Sequence, residues 1–156
     1  MKPLFAIMIM SATLTNFAFP QSKTDSRKKE FNISKEGIAI EGYDPVSYFS
    51  LHKAIKGKKE FSVNAGGIIY RFSGPEDQKI FKEDPSAYEP QFGGWGAYAM
   101  GSTGSKVEVD PETFKISDGK LYLFYNRFFN NTLKSWNKDE VNLKTKADIN
   151  WAKIIH

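Results

Sequence analysis

The chain has 156 residues, 22 Lys and Arg against 18 Asp and Glu (net charge +4), 40% apolar and 15% aromatic residues, and no cysteine. That length supports one domain able to bury a core without staples. The missing cysteines exclude disulfides, thiolate metal sites, sulfur nucleophiles and a lipidated N-terminal cysteine. Basic residues are spread along the chain apart from the run Arg27-Lys28-Lys29, a solvated face that gives no reason to expect a nucleic-acid partner.

Residues 1–22 read as a signal peptide: Lys2 supplies a positive start, Leu4 to Leu14 is an uncharged, mostly apolar run too short to span a bilayer comfortably, and Ala18 or Ser22 could mark a cleavage edge. The expected location is periplasmic or secreted, with no stable membrane insertion after cleavage. Residues 23–36 read as a flexible polar lead-in, because Lys23 to Glu30 has six charged residues in eight and no apolar one.

The domain then occupies residues 37–156. Ile38 and Ile40 alternate as in a short strand, and Asp44-Pro45 is a cap-and-proline helix start. Phe61, Val63 and Ala65 lead through Gly66-Gly67 to Ile68–Phe72, a hairpin signal. Ser73-Gly-Pro-Glu76 reads as a capping box opening a helix through Phe81, and Asp84-Pro85 and Asp110-Pro111 read as further helix starts. Gly93-Gly94 predicts a tight turn into a short helix reaching Met100, with 101–104 a flexible loop. Asp118-Gly119 between Phe114, Ile116 and Leu121, Leu123 predicts a second hairpin. Two helices close the chain, over Arg127 to Asp139 and over Lys144 to Ile155, the latter with an apolar stripe of Ala147, Trp151, Ile154 and Ile155. Strands and helices in this order predict a compact single α+β domain with short antiparallel hairpins and several short helices.

Candidate chemistry is sparse. His52 and His156 form no metal-ligand pattern, and His52 would be the base of any Ser-His-Asp set. The glycines at 93, 94, 96, 101 and 104 fit neither a Walker loop nor a dinucleotide fingerprint. Asp44, Asp84 and Asp110 precede proline and Asp118 precedes glycine, positions for caps and turns; Asp77 has no such role. The remaining candidate is an aromatic pocket floored by the Gly93-Gly-Trp-Gly96 segment and formed by Tyr43, Asp44, Tyr48, Tyr88, Phe92, Trp95 and Tyr98.

Three motifs, Gly42-Tyr-Asp-Pro-Val-Ser-Tyr-Phe49, Tyr88-Glu-Pro-Gln-Phe-Gly-Gly-Trp-Gly-Ala-Tyr-Ala99 and Lys146-Ala-Asp-Ile-Asn-Trp151, make the chain resemble the stand-alone exported YHS-domain proteins of bacteria. Ile69-Tyr-Arg-Phe72, Asp84-Pro85 and Val109 to Leu123 extend that resemblance over 37–154. It implies that Ser47, Ser73 and Asp77 stand where metal-linked relatives carry cysteines, and that Gly96 stands where exported members carry cysteine or selenocysteine. Hydroxyls are weak ligands for soft metals, so a thiolate cage or sulfur redox role does not carry over.

The sequence thus predicts an exported, non-catalytic binding or accessory module, with no cofactor and no catalytic residue assigned. Its partner would be a small ligand or a periplasmic protein, and the chain would be a monomer or weakly associating. The alternative is a metal- or redox-linked accessory protein or enzyme using oxygen and nitrogen ligands from His52, Asp44 and Asp77.

Overall fold

The computed structural model describes residues 20–156. Residues 1–19 of the expected signal peptide lie outside the described residues. The fold is α+β, with seven α-helices and three two-stranded antiparallel hairpins among the described residues.

The expected flexible lead-in is instead largely helical, as α1 (Gln21–Glu30). It buries no residue, so polar tertiary contacts hold it where an apolar face would otherwise be needed. Arg27 donates to the carbonyls of Ala65 and Gly66, each at 3.2 Å, and pairs with Glu89 at 2.7 Å. At the other end, the Trp95 indole N–H donates to the Glu30 carbonyl at 2.7 Å, and Lys106 pairs with the Glu30 carboxylate.

The expected strand at Ile38 and Ile40 is reduced to isolated bridges, because the chain bends into a 3-10 turn at Ile40–Gly42 with Ile40 at φ 53°. The turn leads to α2 (Ser47–Ser50). The first predicted hairpin forms as β1 (Lys58–Ala65) and β2 (Ile68–Phe72), with Ala65 opposite Ile68. Helices α3 (Pro75–Glu83) and α4 (Pro85–Tyr88) each place a proline in the first turn, as the sequence predicts. The capping box at Ser73 does not form: Gly74 is the N-cap and no side chain caps it, since Ser73 is committed to Asp44.

A 3-10 turn, Gln91–Gly94, precedes α5 (Ala97–Ser102). Gly101, expected in a flexible loop, lies inside α5 and against the backbone of Leu143. The second predicted hairpin pairs β3 (Asp110–Ser117) with β4 (Lys120–Phe124). Asp110-Pro111 therefore starts a strand and not a helix. The Asp110 side chain accepts from the Glu112 N–H at 3.0 Å and the Thr113 hydroxyl at 2.8 Å, a local turn that coincides with a bulge before Phe114.

The helix expected from Arg127 starts only at Thr132. Asn126–Arg127 (β5) and Asn130–Asn131 (β6) form a third hairpin, and α6 runs over Thr132–Lys138. Asparagine disfavours helix interiors, and here Asn131 caps α6 by accepting from the Leu133 N–H at 3.1 Å. Helix α7 (Glu140–Ile154) closes the domain.

Strand β4 divides the core. Leu121 and Leu123 join Ile68, Tyr70, Phe72 and Phe81 on one face, while Tyr122 and Phe124 join Phe92, Met100, Trp136 and Ala147 on the other. Alternation along one strand thus feeds two apolar layers. Rings supply much of both: Tyr70 and Phe81 have centroids 4.9 Å apart, and Tyr122 and Trp136 5.4 Å.

Candidate functional site

Two places collect the residues singled out in the sequence. The first is a polar knot that joins α2 to the start of α3. The Asp44 side chain is fully buried and takes four protein donors. One carboxyl oxygen accepts the N–H groups of Val46 and Ser47 at 2.8 and 3.3 Å, and the other accepts the Ser73 N–H and hydroxyl at 2.8 and 2.9 Å. The Ser47 hydroxyl donates to the carbonyls of Asp44 and Lys53 at 2.8 and 2.9 Å. Asp77, in the first turn of α3, lies next to Asp44 and Ser73, close enough to feel the Asp44 charge. Ser47, Ser73 and Asp77 are thus brought together from two separate segments, with Asp44 between them.

The alternative metal set does not converge. His52 is exposed in the loop after α2 at φ 50°, the Asp44 oxygens are occupied by protein donors, and no three His, Cys, Asp or Glu side chains form a metal-binding group among the described residues.

Asp77 holds its proton more tightly than an ordinary aspartate. Burial, then the neighbouring Asp44 carboxylate, push it up to about 6, partly opposed by the Ser73 hydroxyl. A folded-state value above the unfolded one means that the native state holds the proton more tightly. Its contribution to stability is full below about pH 4 and is lost as pH rises through about 6. Asp77→Asn is therefore expected to gain stability relative to the parent between about pH 4 and pH 6 and to keep that relative gain above pH 6. Urea midpoints measured at about pH 3.5 and about pH 7, on either side of that window, check this. Parallel pH dependence in the two proteins would contradict it.

The second place is the glycine segment. The predicted aromatic set does not face one pocket there: Tyr43, Tyr48 and Tyr88 belong to the first apolar layer, and Phe92, Trp95 and Tyr98 to the second. The Tyr48 hydroxyl is spent on the Pro111 carbonyl at 2.7 Å, Tyr88 packs edge-on to Phe49, and the Trp95 indole is bonded to Glu30.

A groove does run over the segment, with different walls. Phe92 and Gly93 contribute to its floor, and Phe31 and Trp151 line it, their ring centroids 5.8 Å apart. Gly93 sits at φ +60°, and a Cβ there would lie 2.8 Å from the Trp151 ring and 3.0 Å from the Phe31 ring. Both the backbone conformation and the rings' approach therefore require glycine. One recess of about 360 Å³ lies over Gly93 and adjoins a more apolar one of about 670 Å³ toward Pro20; the two share Arg27, Phe31, Trp151 and Ile155. These volumes fall in the range of about 300–1,000 Å³ typical of small-ligand sites.

Polar groups border the groove. The Arg27 guanidinium lies 4.4 Å from the Phe31 ring centroid and is paired with Glu89, which also accepts the Tyr70 hydroxyl at 2.7 Å. Lys23, Ser26 and His156 line the larger recess, and Ser86, Gln91 and Asp148 the smaller. The sequence assigns Trp151 to a docking stripe and gives Phe31 no site role. The available signal was that Phe31 is the first ring after a long polar run.

Gly96 lies apart from this groove, at the N-cap of α5, where a Cβ would meet the Val107 carbonyl at 3.2 Å and Val107 would have to give slightly. No helix among the described residues is long and apolar enough to cross a membrane. Compared with protein-family models, with curated proteins and with solved structures, the chain matches none.

Proposed function

We propose that this chain is an exported, non-catalytic binding module, a cysteine-free relative of the YHS-domain proteins, that takes a small ring-bearing ligand in the groove between α1 and α7. The observation that carries the reading is the pair of rings, Phe31 and Trp151, standing half-buried over Gly93, next to the Arg27 guanidinium. Half-buried rings over a floor that excludes a side chain offer apolar faces to a guest, and Lys23 beside them favours one that carries negative charge. The polar knot supports the non-catalytic part, because the Asp44 oxygens and the Ser47 and Ser73 hydroxyls are all spent on protein partners that shape α2 and tie its start to the turn before α3. Export rests on Lys2 and the apolar run Leu4 to Leu14, with cleavage at the Ala18 edge keeping Pro20 and Ser22 of the larger recess in the mature chain.

Anilinonaphthalene sulfonate, an anionic ring-bearing dye, is a direct probe of this groove. Its fluorescence is expected to rise saturably with the native protein. Trp151→Ala should weaken binding by roughly tenfold, the factor set by about 1.4 kcal/mol, while Val141→Ala, at an exposed side chain that lines neither recess, leaves it unchanged. Equal affinity in the Trp151→Ala and parent proteins would remove the groove as the site.

A further inference from the structure

The third hairpin has no role in either place described above, and its composition is unusual for a turn. Asn126 pairs with Asn131 and Arg127 with Asn130, leaving Phe128 and Phe129 as the two residues of the turn. Both are left-handed, at φ 52° and 62°. Such turns are normally built from Asn, Asp or Gly, and a bulky side chain in this conformation is strained. Both rings project into solvent, with relative exposures of 89% and 111%. Neither local conformation nor the core calls for phenylalanine here, so the rings point to a partner.

A hole borders the same hairpin. At the base of the hairpin is a cavity of about 270 Å³ lined by Gly96, Ala99, Val107, Tyr125, Asn130 and Thr132. Tyr125 immediately precedes β5 and Thr132 immediately follows β6, so the cavity opens beside the rings. The Thr132 N–H and hydroxyl both donate to the Tyr125 carbonyl, at 3.0 and 2.8 Å, and the Gly96 N–H donates to the Val107 carbonyl at 2.8 Å. With those polar groups satisfied internally, Ala99 and Val107 present an apolar interior.

We infer that two copies of this chain associate about a two-fold axis, each inserting the Phe128-Phe129 turn into the Gly96–Ala99–Val107 cavity of the other. A knob and a hole side by side on one surface are what an isologous contact requires, since a two-fold rotation sets each knob over the opposite hole. Aromatic side chains bury about 150–250 Å² each, so four rings remove roughly 600–1,000 Å² from water before the cavity walls are counted. With those walls the contact approaches the roughly 1,200 Å² at the low end of specific interfaces, which predicts a weak dimer with a Kd on the order of 10 μM. Exposed Arg127 and Asn130 flank the rings and supply a polar rim.

Sedimentation velocity of the purified protein over a range of roughly 1–200 μM, chosen to bracket that Kd, tests the proposal. The parent protein is expected to pass from monomer to dimer. The double variant Phe128→Ser, Phe129→Ser should remain monomeric, and so should Ala99→Leu or Val107→Phe, which fill the hole and leave the rings in place. Circular dichroism melts identify a variant that fails to fold, and either hole-filling variant alone suffices. A parent protein monomeric throughout would overturn the proposal, as would a dimer that survives both hole-filling variants. Binding of a monomeric protein to phosphatidylglycerol vesicles, lost in the double variant, would also overturn it and assign the rings to a lipid surface.

Discussion

Replacing Asp44 with alanine should cost about 3–5 kcal/mol of stability, the largest loss expected from removing a single polar side chain in this chain. The substitution removes the acceptor for the N–H groups of Val46, Ser47 and Ser73 and for the Ser73 hydroxyl, all at a side chain with no solvent exposure. Each buried donor left without a partner costs about 1–3 kcal/mol, less whatever an entering water recovers. The loss also separates elements, since Asp44 ties the start of α2 to Ser73, two residues before α3. Asp44→Asn keeps one carboxyl-like oxygen for the Val46 and Ser47 N–H groups but presents an amide where Ser73 donates, so roughly half the loss is expected. Thermal melts separate the two variants, and an Asp44→Ala protein as stable as the parent would show that the knot is not structural.

Gly101→Val is expected to cost about 3 kcal/mol or more by overpacking. A Cβ at Gly101 would stand 2.5 Å from the Leu143 carbonyl oxygen and 3.1 Å from its carbon, and those atoms are backbone of α7 and cannot rotate away. Helices α5 and α7 would have to separate, breaking the bond from the Asn150 amide to the Met100 carbonyl, now 2.8 Å. Gly101→Ala, with one methyl in place of three carbons, should cost less, and the order parent, alanine, valine should appear in urea midpoints. Equal midpoints for all three would mean that the helices slide past one another at little cost.

The parts of the fold governed by local signals were legible in the sequence. Gly66-Gly67 and Asp118-Gly119 sit between period-2 apolar runs, and both hairpins form with those residues at the turns. Pro75 and Pro85 mark real helix starts, and α7 buries Ala147 at the point its stripe predicts. The misses occurred where tertiary partners took over a residue's local role. Ser73 reads as a cap but serves Asp44, and Asp110 reads as a helix start but shapes a strand bulge. Helix α1 has no apolar face to read, since its docking is made of hydrogen bonds from Arg27 and to the Glu30 carbonyl.

The candidate site was half legible. Gly93, which the sequence reads as part of a pocket floor because glycines among aromatics signal close approach, lies in a groove, with Phe92 beside it on the floor and not among its walls. Its walls come from Phe31 and Trp151, 120 positions apart by their numbers and brought together by their ring contact over the segment. Trp95, adjacent in sequence to those glycines, turns to bond α1. Sequence proximity favoured the wrong ring.

The most direct measurement is the response of the indole N–H signals to anilinonaphthalene sulfonate in a proton–nitrogen NMR titration, since the three tryptophans occupy different environments. Trp151 stands in the groove, Trp95 is bonded to the Glu30 carbonyl, and Trp136 is fully buried between Tyr122 and Phe124. A saturable shift of the Trp151 signal, with Trp95 and Trp136 still, is the predicted result. Movement of Trp95 or Trp136 alone, or of none of the three, would contradict a ligand groove between α1 and α7.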